Sequence, residues 1–170
     1  MSKFLAAVSA LAFALIACAM PGTSLAQAAK GNDDLAGAWR GAMQFTSGAF
    51  AETKDLELMY AFAAGGTMTE SSNYDAMPPV PPAYGVWRKV GARKYEAKYQ
   101  FFQTRPVSSA DELVKGGGWA PNGYGILTQT FTLSADGNTF ESRATLEMFD
   151  KDGKSVPGGE ATAKGRRIGF

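Results

Sequence analysis

Residues 123–149 read GYGILTQTFTLSADGNTFESRATLEMF, two runs in which apolar and polar residues alternate on either side of Asp136-Gly137. Successive side chains of a strand point to opposite faces, so the alternation predicts two half-buried antiparallel strands over 123–133 and 139–149. Ser134-Ala135-Asp136-Gly137-Asn138 between them carries the Asp-Gly pair that tight hairpins favour.

The same period of two extends outward in both directions. Trp39, Gly41, Met43 and Phe45 alternate with Arg40, Ala42 and Gln44, and Leu56, Leu58, Tyr60 and Phe62 repeat the pattern. Ala64-Gly65-Gly66 turns the chain into a more polar strand over 67–72. Residues 83–90 turn at Gly91-Ala92-Arg93 into 95–104, where Tyr95, Ala97, Tyr99 and Phe101 share a face. Asp152-Gly153 marks a further turn, and Val156 and then 161–168 supply the last strands. Helical periodicity is nearly absent, so about eight strands at regular spacing predict an all-β domain. A single antiparallel barrel is expected over 35–170, because closure removes exposed strand edges; a sandwich is the alternative.

Residues 1–28 predict export. Lys3 is followed by the uncharged run 4–20, Pro21-Gly22 breaks it, and Ala26-Gln27-Ala28 fits a small-residue cleavage site. Residues 29–34 are expected to form a disordered lead. The expected destination is the periplasm or the exterior. Leu15-Ile16-Ala17-Cys18 also reads as a lipoprotein site, which would instead tether the chain to a membrane through Cys18. The apolar run is short for a transmembrane helix, which needs about 20 apolar residues.

Composition then restricts the chemistry. The 170 residues contain one cysteine, Cys18, and no histidine, so the barrel domain has no disulfide, no thiolate or imidazole metal ligand and no Ser-His or Cys-His nucleophile pair. No metal or cofactor is expected. Loss of Lys3 from the 17 basic residues leaves 16 against 16 acidic ones, a balance unsuited to nucleic acid. Arg88, Lys89, Arg93, Lys94 and Lys98 read as the solvated side of a hairpin. Asp150-Lys151-Asp152-Gly153 lacks the longer ligand series of a calcium loop and reads as a turn.

Gly37-Ala38-Trp39 at the first strand and Arg166-Arg167 in the last resemble the G-x-W and closing arginine of lipocalins and related calycin barrels. That resemblance implies an indole plugging one barrel end with a guanidinium stacked on it, from Arg166 or Arg167. More of the chain is similar to exported bacterial proteins of unassigned role with a lipocalin-like or allene-oxide-cyclase-like barrel. The matching parts are Gly66-Thr67, Pro81-Pro82-Ala83-Tyr84-Gly85-Val86-Trp87, the segment 133–140, and Gly165-Arg166-Arg167-Ile168. The C-terminal helix of true lipocalins has no counterpart.

Strand parity places Tyr60, Glu70, Tyr99 and Gln129 with apolar neighbours, facing the interior. A buried carboxylate or amide is costly unless paired, so these groups either satisfy one another or await a ligand. An interior Glu70 would have a raised pKa and be a candidate general acid or base; at a strand edge it would sit in water. Tyr84 and Tyr95, near strand starts, are candidate rim hydrogen-bonders. Two irregular stretches, 73–82 and 105–122, are expected to cover a barrel end or gate it, with Ser109-Ala110-Asp111-Glu112 capping one short helix. The leading expectation is a barrel that binds a small, largely apolar ligand among Tyr60, Tyr99, Phe101, Leu127 and Phe131, with Gln129 and Tyr84 as polar contacts. The alternatives are a cofactor-free cyclase or isomerase of allene-oxide-cyclase type, with Glu70 or a tyrosine stabilising charge, and a structural protein with a filled core.

Overall fold

A computed structural model describes residues 34–75 and 80–170. The export segment, Cys18, most of the lead and Met77 to Pro79 lie outside the described residues. Eight strands follow in chain order: β1 (Gly37–Phe45), β2 (Glu57–Phe62), β3 (Thr67–Ser72), β4 (Ala83–Gly91), β5 (Lys94–Pro106), β6 (Trp119–Leu133), β7 (Thr139–Phe149) and β8 (Ser155–Arg167). Each pairs antiparallel with its neighbours, and β1 pairs with β8, so the sheet is one closed barrel rather than a sandwich. Among the described residues no helix is long and apolar enough to cross a membrane.

The alternation read from 123–149 is the alternation of burial. Leu127, Gln129, Phe131 and Leu133 are buried on β6, while Phe140, Ser142, Ala144, Leu146 and Met148 are buried on β7. Gly137 adopts φ 70 in the connecting turn, where Asp136 accepts from the Asn138 amide and the Ser134 hydroxyl.

The stretch 105–122 departs from the expected loop. β5 and β6 remain paired beyond the barrel as far as Pro106 and Trp119, with α1 (Ala110–Gly116) at the tip. A register shift between Gln103 and Thr104 accommodates Pro121, which has no amide to give the ladder. Ser109 caps α1 by accepting from the Glu112 amide at 3.2 Å, as the sequence suggests. The Glu112 carboxylate does not return to the cap. It binds the Ser108 amide at 2.9 Å and pairs with Arg105 at 2.6 Å, and these contacts hold its pKa down at about 2.

One barrel end is sealed. Trp39 has no exposed surface, donates its indole N–H to Leu35 O at 2.9 Å, and meets Phe140 edge-on at 5.5 Å. The Arg167 guanidinium lies 4.2 Å from the Trp39 ring centre and donates to Ala36 O at 2.7 Å, Asp34 O at 2.6 Å and Gly137 O at 3.2 Å. It thereby ties the entry of β1, Asp34 of the expected lead included, to the β6–β7 turn. Arg166, one residue earlier, is exposed and takes no part in the seal. Arg167→Ala is expected to lower unfolding free energy by about 2–3 kcal/mol and Arg166→Ala by less than about 0.5 kcal/mol, measured by urea denaturation. Equal effects would contradict this seal.

Above Trp39 the interior is a cluster of rings. Phe131 packs against Phe140 at 5.1 Å, Phe62 at 5.4 Å and Tyr60 at 5.7 Å, and Trp87 against Tyr95 at 5.7 Å. The Phe140 ring lies over Gly165, where an added Cβ would fall 2.4 Å from it, so glycine on β8 makes the seat for this ring.

Candidate functional site

The ring cluster fills only one part of the barrel. Toward the opposite end the inward residues of β1, β2, β4 and β7 are Met43, Phe45, Leu58, Ala83 and Leu146, and they bound a cavity of about 260 Å³. The cavity reaches the surface beside Tyr74 and Phe102, both exposed. At about 30 Å³ per water-sized group it has room for on the order of ten heavy atoms, a small ligand.

A satisfied polar layer lies at its inner limit. Gln129 is fully buried; its carbonyl accepts from the Tyr99 hydroxyl at 2.6 Å, and its amide donates to Ser142 Oγ at 2.7 Å. The Tyr60 hydroxyl is 3.4 Å from the same side-chain amide. Burial first, and then the nearby Glu70, raise the pKa of Tyr60, and burial does the same for Tyr99, so both remain protonated donors at neutral pH.

Glu70 lies outside that satisfied layer. Its place on β3, opposite Tyr60 on β2 and Ala83 on β4, turns the side chain into the barrel, where the residue is 8% exposed. Its Oε1 is buried without a hydrogen-bond partner, and the residue lines the cavity. Desolvation, reinforced by the nearby Asp75, pushes its pKa up to about 8. Asp75, also on the cavity wall, accepts from Ser72 N at 2.6 Å and Ser72 Oγ at 2.8 Å, which fixes the turn after β3. The Thr104 hydroxyl oxygen is the other buried side-chain oxygen without a partner among the described residues, and Thr104 too lines the cavity. Unpartnered buried polar atoms are rare in folded proteins, and here both are on the wall of one hollow.

The structure therefore brings Glu70, Tyr99, Phe101 and Leu127 of the sequence candidates to the cavity. Tyr60, Gln129 and Phe131 are interior but support the polar layer and the ring cluster instead. Tyr95 is buried in that cluster. Tyr84 belongs elsewhere: it is 61% exposed on the outer face of β4, in a surface groove with Val86, Phe102 and Tyr124. Its even parity opposes that of Ala83, Gly85 and Trp87, so the alternation itself could have excluded it. The same rule could have found Met43, Leu58 and Leu146. Asp75 and Thr104 carry no such signal, because a turn and a register shift place them.

Neither a family model nor a curated protein matches this chain. Among the described residues there is no cluster of three or more acidic side chains that could hold a metal ion. The lining groups available for chemistry are the Glu70 carboxyl with its pKa of about 8, the Asp75 carboxyl, the hydroxyls of Thr53, Ser72, Tyr74, Tyr99 and Thr104, and the Gln103 amide.

Proposed function

We propose that this chain is an exported barrel protein that holds one small, largely apolar ligand in the cavity between Glu70 and Leu146. One observation carries the reading: a partly filled barrel whose apolar hollow has the unpartnered oxygen of Glu70 on its wall. A closed eight-stranded barrel is wide enough to hold one small ligand, and a protein needing only a filled core has no reason to leave that oxygen unsatisfied. The proposal extends to location: residues 1–28 direct export to the periplasm or beyond, with anchoring through Cys18 as the other route.

The expected result is saturable uptake of one octanol or octylamine molecule per chain, read by native mass spectrometry and calorimetry. Ala83→Phe projects a ring into the hollow beside Glu70 and is expected to weaken that uptake at least tenfold while the protein stays folded by circular dichroism. Failure of wild-type protein to take up either compound would end the binding reading.

The position and pKa of Glu70 also favour a second reading, in which this carboxyl donates or accepts a proton on a bound substrate held still by the barrel, as in a cyclase or isomerase. Extraction of material co-purified from the periplasm separates the two. A binder returns it unchanged after prolonged incubation, whereas an isomerase returns a product of equal mass and altered chromatographic retention.

A further inference from the structure

The cavity wall has an unusual charge inventory. Two carboxyl groups, Glu70 and Asp75, lie on it, and no lysine or arginine is among its lining residues. A pocket for fatty-acid-like carboxylates needs the opposite arrangement, a buried cation or a set of donors facing the anion. Here a ligand carboxylate would meet the Asp75 carboxylate, and beside Glu70 it would hold that carboxyl in its protonated form. A purely hydrocarbon ligand would leave Glu70 Oε1 as it is, buried and unsatisfied.

Resting on the binding reading above, we propose that the ligand is an amphiphilic amine, with its apolar body against Leu58, Leu127 and Leu146 and its ammonium group against Glu70. An ammonium donates hydrogen bonds and has no acceptor, which suits Glu70 Oε1 once the carboxyl is ionised, since no other group donates to it. It also brings the compensating charge that lets a buried carboxylate ionise. The groups facing Glu70 agree with this assignment. Tyr60 on β2 and Tyr99 on β5 are neutral, Ala83 on β4 has no polar side chain, and Asp75 adds a second negative charge at the turn.

Proton balance makes the assignment measurable. The protonated Glu70 carboxyl loses its proton to solvent as the ammonium arrives, leaving a carboxylate–ammonium pair, so about one proton is released per amine bound at pH 6 to 7 and about half of one at pH 8. Because Glu70 titrates at about 8, octylamine affinity is expected to rise about tenfold per pH unit between roughly pH 6 and 7.5 and to level off above 8. Octanol affinity does not follow this rise.

The experiment compares octylamine, octanol and octanoate on the wild-type protein by calorimetry at about pH 6, 7 and 8, in two buffers of different ionisation enthalpy to count protons. At about pH 8 octylamine is expected to bind ten- to a hundredfold more tightly than octanol, and octanoate more weakly than either. Glu70→Gln is expected to bring the octylamine-to-octanol affinity ratio to about one and to abolish proton release. Equal binding of octanol and octylamine by the wild type, or preference for octanoate, overturns the amine assignment and leaves the cavity reading standing. Uptake of none of the three overturns the cavity reading itself.

Discussion

At about pH 8.5, Glu70→Gln is expected to raise the free energy of unfolding by about 3–5 kcal/mol, whereas at about pH 5 it changes it by less than about 1 kcal/mol. The difference follows from the proton that the native state keeps. Burial raises the Glu70 pKa from an ordinary 4.5 to about 8. Between those values the folded protein binds this proton and the unfolded chain releases it. The native state thus holds more protons, and stability falls as pH rises through the window. Below pH 4.5 both states are protonated and the cost vanishes; above 8 it is complete. Glutamine keeps the shape of the protonated acid and cannot ionise, so the variant loses this slope. Tyr60 and Tyr99 do not confuse the measurement, because burial keeps both protonated throughout the range. Urea unfolding at the two pH values reads the effect directly. A gap of the same size at both would mean that Glu70 is hydrated in the folded protein.

Trp39→Ala is expected to cost about 3–5 kcal/mol and lower the melting temperature by roughly 15 °C. The indole is fully buried and closes the barrel against Phe140, so its removal leaves a hollow that the closed sheet cannot collapse to fill. Leu35 O loses its donor and Arg167 loses the face on which it stacks. Since the ligand cavity is lined by neither Trp39 nor Phe140, the folded variant at low temperature should still take up octanol within about threefold of wild type. Loss of uptake together with little loss of stability would reverse the roles given to the two ends. Arg167→Ala acts on the same seal with a smaller effect because the guanidinium is only partly buried.

The two halves of the barrel differ in how much of them the sequence exposes. The strands around Asp136-Gly137 are found where alternation puts them, and β7 spans the expected 139–149. The inward positions of Glu70, Tyr99 and Gln129 follow from the same parity. Alternation assigns a face and cannot say whether the space it faces is filled. Phe131 and Leu127 share a face of β6, yet Phe131 is enclosed by Phe62, Tyr60 and Phe140, whereas Leu127 borders the cavity. Which large rings meet depends on register between strands distant in sequence, and on where Gly165 leaves room for Phe140. The hairpin extension of β5 and β6 was illegible for a related reason. Its prolines and glycines read as loop, and cross-strand pairing with a register shift overrode that local preference.

An all-β chain of about eight strands, their faces, the glycine-tryptophan start and arginine finish, and the absence of imidazole and thiol chemistry from the barrel domain are legible in the residues alone. These are local or compositional properties, because a period of two needs only neighbouring residues to be read. The closed fold decided that Arg167 and not Arg166 seals the barrel, and that Gln129 is satisfied while Glu70 Oε1 is not. Each of those outcomes is set by distances between residues on different strands. Whether a buried polar atom has a partner is a property of that three-dimensional neighbourhood, and the neighbourhood exists only once β1 has closed on β8.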